Sequence, residues 1–542
     1  MVTDLAKAAS AAEAQQRVPA GTAVNSRSPG SRLNVWVFVV FCIAPVAGIW
    51  RRAGAFYTAT RDIDESVYIV MARRWLEGDL PYVAVYDQHP IGLPALLTAA
   101  TWLVGDGLFA ARLTAVFAVS GTCAALFFAG AWFARSRAAG VVAAALYGIY
   151  MMRPEAMVSN TELYNNLFVT LAACLLFGQA RRVAAGGRVQ RPYALIAAGL
   201  LGAGLQIKYV VAPEAAGFCL AFLFYWAWHE RQTRRVLGLA VGMMLAGLVP
   251  TLVAVLYFWS EGALQPFLDA NIRSNLAYVA AVPPFDEVLY RIYVGVKPLA
   301  ILMGGTLALA AVLRHGRSRP APVATQRVIY ACMLWVALSV INIVLPMKFF
   351  GHYFYALLPP FCLMAAILMM TALERAWWAA NQRQTPLPRA LMIALATMFL
   401  ALPPLRAIAL QITAPDSLLP RATEFVTACI REHPASRPGL YVFNWDPILY
   451  ETTRIPPPTR YVLPAELAEF SDSAGLDPTA EITRILATRP GHIVVASASY
   501  LPFSPERIGL VQQAVRAYDL ACSVDMRVGK EETGKALVYR LQ

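Results

Sequence analysis

The chain has 542 residues, 58% hydrophobic and only 15% charged, with mean hydropathy +0.52. A soluble globule of that size would lack the polar surface to stay dispersed, so the composition describes a polytopic membrane protein. The net charge of +13 does not indicate nucleic-acid binding, because the arginines are spread over separate loops and form no stripe with interleaved aromatics.

Residues 1–33 are polar and Ala-rich, carry Lys7, Arg17, Arg27 and Arg32, and lack the pattern of a cleavable signal; they read as a disordered cytoplasmic tail. Apolar runs able to cross about 30 Å of hydrocarbon follow at 34–50, 108–133, 139–152, 162–180, 193–210, 212–228, 236–258, 293–313, 328–346, 356–373 and 390–411. This gives about eleven transmembrane helices in a domain over 34–411. Arginines at 135 and 137, at 181, 182, 188 and 191, at 231, 234 and 235, at 314, 317, 319 and 327, and at 375, 383 and 389 mark every second connection as cytoplasmic. The first loop, 51–107, the loops 151–162, 259–292 and 347–355, and the C-terminal segment then lie on the outer side. From 412 to 542 the pattern becomes that of a soluble extracytoplasmic α/β domain, with strands at Leu440–Trp445, Ile493–Ala496 and Ala536–Tyr539 and helices near 478–488 and 505–518. Cys429 and Cys522 fall in this domain and can join if the compartment is oxidising, whereas Cys42, Cys123, Cys174, Cys219, Cys332 and Cys362 lie in apolar runs.

The first outer loop crowds Asp62, Asp64 and Glu65 beside the first span. Neighbouring carboxylates repel and raise one another's pKa, which a purely structural loop has little reason to build. From Asp64 to Trp75, Val67, Tyr68, Val70, Met71 and Trp75 alternate with Arg73 and Arg74 on another face, the pattern of a helix lying in the membrane interface. A second interfacial helix begins at Pro90 and carries Leu93, Leu96, Leu97 and Trp102. Together they make a floor on which a lipid headgroup can sit.

Other polar groups are expected at the same depth: Arg153, Glu155, Asn160, Glu162, Asn165, Asn166, Lys208, Glu214, Lys348, His352, Tyr353 and Tyr355. Ionisable groups at membrane depth are costly and usually face a functional cavity. Asp64, Glu65 and Glu162 are the candidate catalytic acids, and Arg61, Arg73, His89, Lys208, Lys348, His352 and Tyr353 the candidate holders of a phosphate-bearing substrate. Structural readings stand beside these: Asp62 as a helix cap, Lys208, Arg73 and Arg74 snorkelling to headgroups, His89 as a turn residue without a zinc-spaced partner set, and His352 as an interfacial anchor.

Asp64-Glu65 after the first span, the helix ending at Gly78-Asp79-Leu80-Pro81-Tyr82, Gln88-His89-Pro90, Thr161-Glu162-Leu163 and Gly351-His352-Tyr353-Phe354 with Leu358-Pro359-Pro360 together resemble the GT-C fold glycosyltransferases of the protein O-mannosyltransferase and aminoarabinose-transferase superfamily. The resemblance covers roughly 35–410, and the trailing domain fits that group's soluble outer module. It implies a polyprenyl-phosphate-linked sugar donor, transfer on the outer membrane face, Asp64 as the catalytic carboxylate and Glu162 as a second acid. The chain departs from the aminoarabinose transferases at Val67, where they carry arginine, and at His89, where they carry lysine.

The expectation is therefore a membrane hexosyl- or pentosyltransferase of the bacterial cytoplasmic membrane, with its site facing the periplasm. It would move a sugar, with inversion, to a hydroxyl of lipid A in lipopolysaccharide, another cell-envelope glycan, a glycolipid or a protein. No cofactor is required; a divalent ion between Asp64 and Glu162 is compatible with hard oxygen ligands. The competing classes are a lipid-linked-sugar flippase or transporter, which should show broken, polar spans at the bilayer midplane, and an O-antigen polymerase or ligase.

Overall fold

Hydrophobic runs and their breaks dictate a mostly helical chain, and the computed structural model describes it over residues 63–153, 156–230, 232–315, 323–381, 418–497, 501–528 and 532–542. The expected tail, the spans at 34–50 and 390–411, and Arg61, Asp62 and Glu155 lie outside the described residues. In order, the helices are α1 (Ile63–Leu76), α2 (Gly92–Val104), α3 (Gly107–Phe133), α4 (Arg137–Tyr150), α5 (Thr161–Ala184), α6 (Arg191–Leu205), α7 (Ala212–His229), α8 (Thr233–Ser260), α9 (Leu264–Leu268), α10 (Ser274–Ala280), α11 (Phe285–Val296), α12 (Ala300–His315), α13 (Val323–Val344) and α14 (Leu358–Asn381). A 3₁₀ turn, Gly351–Leu357, leads into α14.

Among the described residues, six helices are long and apolar enough to cross a membrane: Gly107–Phe133, Thr161–Ala184, Tyr209–His229, Thr233–Ser260, Thr325–Val344 and Gly351–Arg375. The expected span over 293–313 falls on a bent pair of helices. Here α11 and α12 are bent by 72° and count as a seventh crossing only if taken together. The break falls at Lys297-Pro298, where proline lacks the amide hydrogen and disfavours helix in the residue before it. The runs at 139–152 and 193–210 form α4 and α6, of 14 and 15 residues, about 21–23 Å long at 1.5 Å per residue. Every residue of α4 from Ala139 to Tyr150 is buried, so its apolar character reflects enclosure by other helices.

α3 and α4 approach so closely that a Cβ on Gly130 would lie 2.4 Å from the Gly140 nitrogen, and one on Gly140 would lie 2.3 Å from the Phe127 carbonyl oxygen. Small residues permit such backbone contact in a membrane core. Gly92 meets the same limit at the start of α2. Its N–H donates to the Gln206 carbonyl at 2.7 Å, and an added Cβ would stand 2.4 Å from that oxygen. The first outer loop is thereby pinned to the end of α6, two residues before Lys208.

The C-terminal residues form α15 (Leu418–Glu432), β1 (Leu440–Val442), α16 (Ile448–Thr453), α17 (Ser471–Ala474), α18 (Pro478–Ala487), β2 (His492–Ala496), α19 (Pro505–Ala514), β3 (Asp519–Val528) and β4 (Glu532–Arg540). Strand order is β1-β2-β4-β3: β1 runs parallel to β2, while β4 pairs antiparallel with both β2 and β3. A disulfide joins Cys429 of α15 to Cys522 of β3, with Cα atoms 6.4 Å apart, resolving a pairing that sequence left open.

This region does not keep its core to itself. Val67, Val70 and Met71 of α1 and Val85 pack into one cluster with Val426, Leu440, Val442, Leu449 and Val538, while Tyr82, Tyr86 and Ile91 share another with Tyr441, Phe443, Ile482 and Ile493. Glu65 through Ala72 are all buried, so α1 does not present an open apolar face and is closed over by the α/β region. Full burial of a Val or Met side chain stabilises by roughly 1.5–3 kcal/mol, enough to make α1 part of both layers. Gly130→Ala should force the α3/α4 backbones apart and cost about 1–3 kcal/mol, visible as a lower melting temperature in detergent; an unchanged melt would show that the crossing can relax.

Candidate functional site

α1 fixes the first component. Asp64 is half-buried in its first turn, where unpaired backbone N–H groups favour a carboxylate. The next residue faces the opposite way. The Glu65 Oε1 atom accepts from Arg112 of α3 at 2.5 Å and from the Ser159 backbone N–H at 2.6 Å, and both ionic side chains are at most 2% exposed. Glu65, expected as a catalytic acid, thus ties α1 to α3 and to the chain at Ser159.

One α-helical turn on, the Tyr68 hydroxyl lies 3.2 Å from His89 Nδ1. The same nitrogen is 2.9 Å from Asp87 Oδ1, and Tyr82 OH donates to the His89 carbonyl at 2.9 Å. Burial works against the imidazolium, but the charge and hydrogen bond of Asp87 outweigh it and raise the His89 pKa. Asp64 adds to that effect and Lys208 opposes it, so a carboxylate from α1 and an ammonium following α6 both act on this ring.

The cationic end is built at the mouth of α5. Glu162 occupies its first turn; its Oε1 accepts from Lys208 Nζ at 2.7 Å and its Oε2 from Thr161 Oγ1 at 2.9 Å. Both Glu162 and Lys208 are buried, so Lys208 does not snorkel. Its ammonium stands 4.0 Å from the centroid of the Tyr353 ring, and His352 Nε2 approaches Glu162 at 3.9 Å. A cleft runs from these groups along Asn165, Asn166, Glu214 and Asn342; Asn166 Nδ2 donates to Tyr147 OH and the Tyr355 carbonyl, and Glu214 accepts from Ser339 and Asn342.

Two expected phosphate holders are engaged elsewhere. The Arg73 guanidinium makes two bonds to Glu451 of α16, at 2.9 and 3.0 Å, and a third to the Gly105 carbonyl. Arg74 pairs with Glu77 and Asp79. Lys348 Nζ donates to the Ala281 carbonyl and sits 4.4 Å over the Tyr278 ring. The Tyr278 ring also packs edge-on against Phe470 of the C-terminal region, and burial raises its hydroxyl pKa. Sequence reasoning passed over Tyr68, Arg112, Tyr278 and the role of Asp87. Only Asp87, two residues before His89 in a Pro-bounded turn, carried a local signal.

A divalent ion between Asp64 and Glu162 would share Glu162 with Lys208, whose Nζ stands 2.7 Å from Oε1. Among the described residues, the group that could converge on an ion is Cys429, His433 and Cys522, far along the chain and closed by the disulfide.

Two solved structures share this arrangement of elements. ArnT from Cupriavidus metallidurans bound to undecaprenyl phosphate is 15% identical with a TM-score of 0.58, over 93% of this chain and 97% of its own. ArnT from the same organism in the apo state is 15% identical with a TM-score of 0.54, over 94% and 98%. The chain has the GT-C fold. No family profile matches the sequence, and no curated protein does. At this identity the likeness establishes the architecture, and the first-loop motifs that resemble the GT-C enzymes are found in it.

Two measurements probe this geometry. Lys208→Met should destabilise by about 3–5 kcal/mol, because Glu162 is left buried and unpaired. Lys208→Met with Glu162→Gln should recover most of that loss in thermal unfolding, and a double variant as unstable as the single would refute a paired role. The raised His89 pKa means that the Asp87–His89 pair contributes stability fully present below the ordinary imidazole value of about 6.5 and lost as pH rises through the raised folded value. Asp87→Asn should therefore narrow the melting difference between acidic and alkaline buffer, and a pH-independent difference from the parent protein would count against the pair.

Proposed function

We propose that the chain is a membrane glycosyltransferase that moves a sugar from a polyprenyl-phosphate donor to a hydroxyl acceptor at the outer face of a bacterial cytoplasmic membrane. The observation that carries this reading is the buried Lys208–Glu162 pair, 2.7 Å apart and set beside Tyr353 and His352, inside a GT-C fold. A buried cation is thus held next to the cleft that Glu162 and Tyr353 line. That ArnT has been solved with undecaprenyl phosphate supports the donor class.

In this mechanism an acceptor hydroxyl gives its proton to Asp64 as its oxygen attacks the anomeric carbon. The bond between that carbon and the phosphate oxygen breaks, and the electron pair leaves with the lipid phosphate. Lys208 and His352 meet the charge that grows there, the kind of fixed electrostatic aid that acts most strongly away from water. Attack opposite the leaving phosphate inverts the anomeric centre. Glu162 is assigned to holding Lys208 in place and not to proton transfer. Because Lys208 is already paired, the incoming phosphate shares it with Glu162, and positioning in the chamber supplies much of the rate.

The acceptor class, whether lipid A, another envelope glycan, a glycolipid or a protein, is left to experiment. Purified protein in nanodiscs should release polyprenyl phosphate from at least one member of a panel of undecaprenyl-phosphate sugars when acceptor is supplied. A flippase or transporter would move the donor without cleaving it. Asp64→Asn keeps volume and removes the base, so turnover should fall by about 10²-fold or more while the melting temperature and inorganic-phosphate-free binding of polyprenyl phosphate hold. Near-normal turnover in that variant would remove Asp64 from the chemistry.

A further inference from the structure

The mechanism above leaves one buried carboxyl unused. Glu214 is 2% exposed and belongs to the Tyr209–His229 span. Both its oxygens face α13: Oε1 accepts from Ser339 Oγ at 2.6 Å and Oε2 from Asn342 Nδ2 at 2.8 Å. These donors are neutral, and among the described residues no lysine, arginine or histidine pairs with it. A buried carboxylate without counter-charge is costly enough to take up a proton or a cation.

The surroundings favour the cation. Asn165 of α5 lines the same cleft as Glu214 and Asn342; it is 7% exposed, and its Oδ1 has no hydrogen-bond partner among the described residues. A buried acceptor left bare costs its desolvation, and a proton on Glu214 would do nothing to relieve it. Val210 and Ala356 line the cleft as well, and they come from the 3₁₀ segments Tyr209–Val211 and Gly351–Leu357. Irregular backbone at membrane depth is tolerated where it borders a polar cavity, which gives its released carbonyls other partners. The Ala356 carbonyl already accepts from Ser339 Oγ at 3.3 Å.

We propose that this cleft is a site for one dehydrated sodium ion, held by the Glu214 carboxylate and Asn165 Oδ1 where α5, α7 and α13 meet. The space open to the centre of a water-sized sphere is about 10 Å³, room for one water or one bare ion and too little for a sugar or a phosphate. Oxygen donors suit a hard cation. One unmatched carboxylate balances a single positive charge, whereas calcium takes about six to eight oxygens and magnesium keeps several waters. Glu162 borders the cleft too, but Lys208 Nζ at 2.7 Å matches its charge. The donors, one carboxylate and an amide oxygen, are not the clustered acids, histidines and thiols of a transition-metal centre. The bound ion would tie α5, which carries Glu162, to α7 and α13. This inference goes beyond the transferase reading and does not depend on it, because the ion binds whether or not a donor is cleaved.

The test is sodium-22 binding to the full-length protein in detergent, with ionic strength held by choline chloride, whose cation is too large for the cleft. The parent should bind sodium saturably and melt at a higher temperature in sodium chloride than in choline chloride, since a ligand of the folded state stabilises it. Glu214→Gln keeps the shape, removes the charge and should abolish both effects. Asn165→Ala leaves the carboxylate in place and should weaken sodium binding about tenfold, the loss expected for one polar contact. A parent that binds no sodium saturably, or a Glu214→Gln variant that binds it as the parent does, would overturn the site. A Glu214→Gln variant that melts above the parent in both salts would overturn it in favour of a proton on Glu214. Donor cleavage is measured separately, so failure here leaves the proposed function standing.

Discussion

Everything at the site hangs on the buried ion pair between Glu65 and Arg112. At 2.5 Å and with side chains at most 2% exposed, it has lost nearly all its hydration, a cost that only close geometry and further bonds can offset. Those bonds are present: Ser159 donates to Glu65, and Arg112 also donates to the Met157 carbonyl. Such a pair is weak evidence of added stability and good evidence of fixed placement, because any slip exposes two bare charges to hydrocarbon. It clamps α1 between α3 and the 157–159 turn, and with it the backbone that carries the neighbouring Asp64.

From that clamp the electrostatic layout follows. The carboxylate of Asp64 comes from the start of α1, the ammonium of Lys208 from the chain just after α6, and Gly92 binds those two neighbourhoods through Gln206. Glu162 holds Lys208 in a buried ion pair, so its charge stays inside the protein. His89 lies between the two signs of charge, its pKa raised by Asp87 and opposed by Lys208.

Much of this was legible in the sequence, and the illegible parts share a cause. α1 and α2 were found from apolar spacing, with ends within a few residues of those observed, because local periodicity encodes them. Lys208, Glu162 and His352 stood out as ionisable groups in apolar surroundings, although nothing in their spacing could reveal that Lys208 meets Glu162 across 46 positions. Arg73 misled for the opposite reason. A basic residue on an amphipathic helix looks like a headgroup contact, and its partner, Glu451, lies 378 residues away. β3 carries an alternation at Leu520, Cys522, Val524, Met526 and Val528 that the sequence reading missed, and a register shift between Leu520 and Cys522 interrupts its pairing.

The C-terminal region changes meaning once its core is traced. As a soluble module with a self-contained core it would be a passive appendage, free to be lost without consequence for the membrane part. Here Val67, Val70 and Met71 fill the same cluster as the strands of its sheet, Arg73 locks onto Glu451, and Tyr86 N–H reaches the Arg460 carbonyl. The helix that carries Asp64 is therefore buried by two layers at once, one set by the hydrophobic thickness of a membrane and the other by the packing of a small sheet. Neither layer alone would cover both faces of α1, and an uncovered face would leave either its apolar side chains in water or its ion pair unshielded. Rigid placement of the acid is thus a property of the joined layers, and the α/β region belongs to the site because of what it buries.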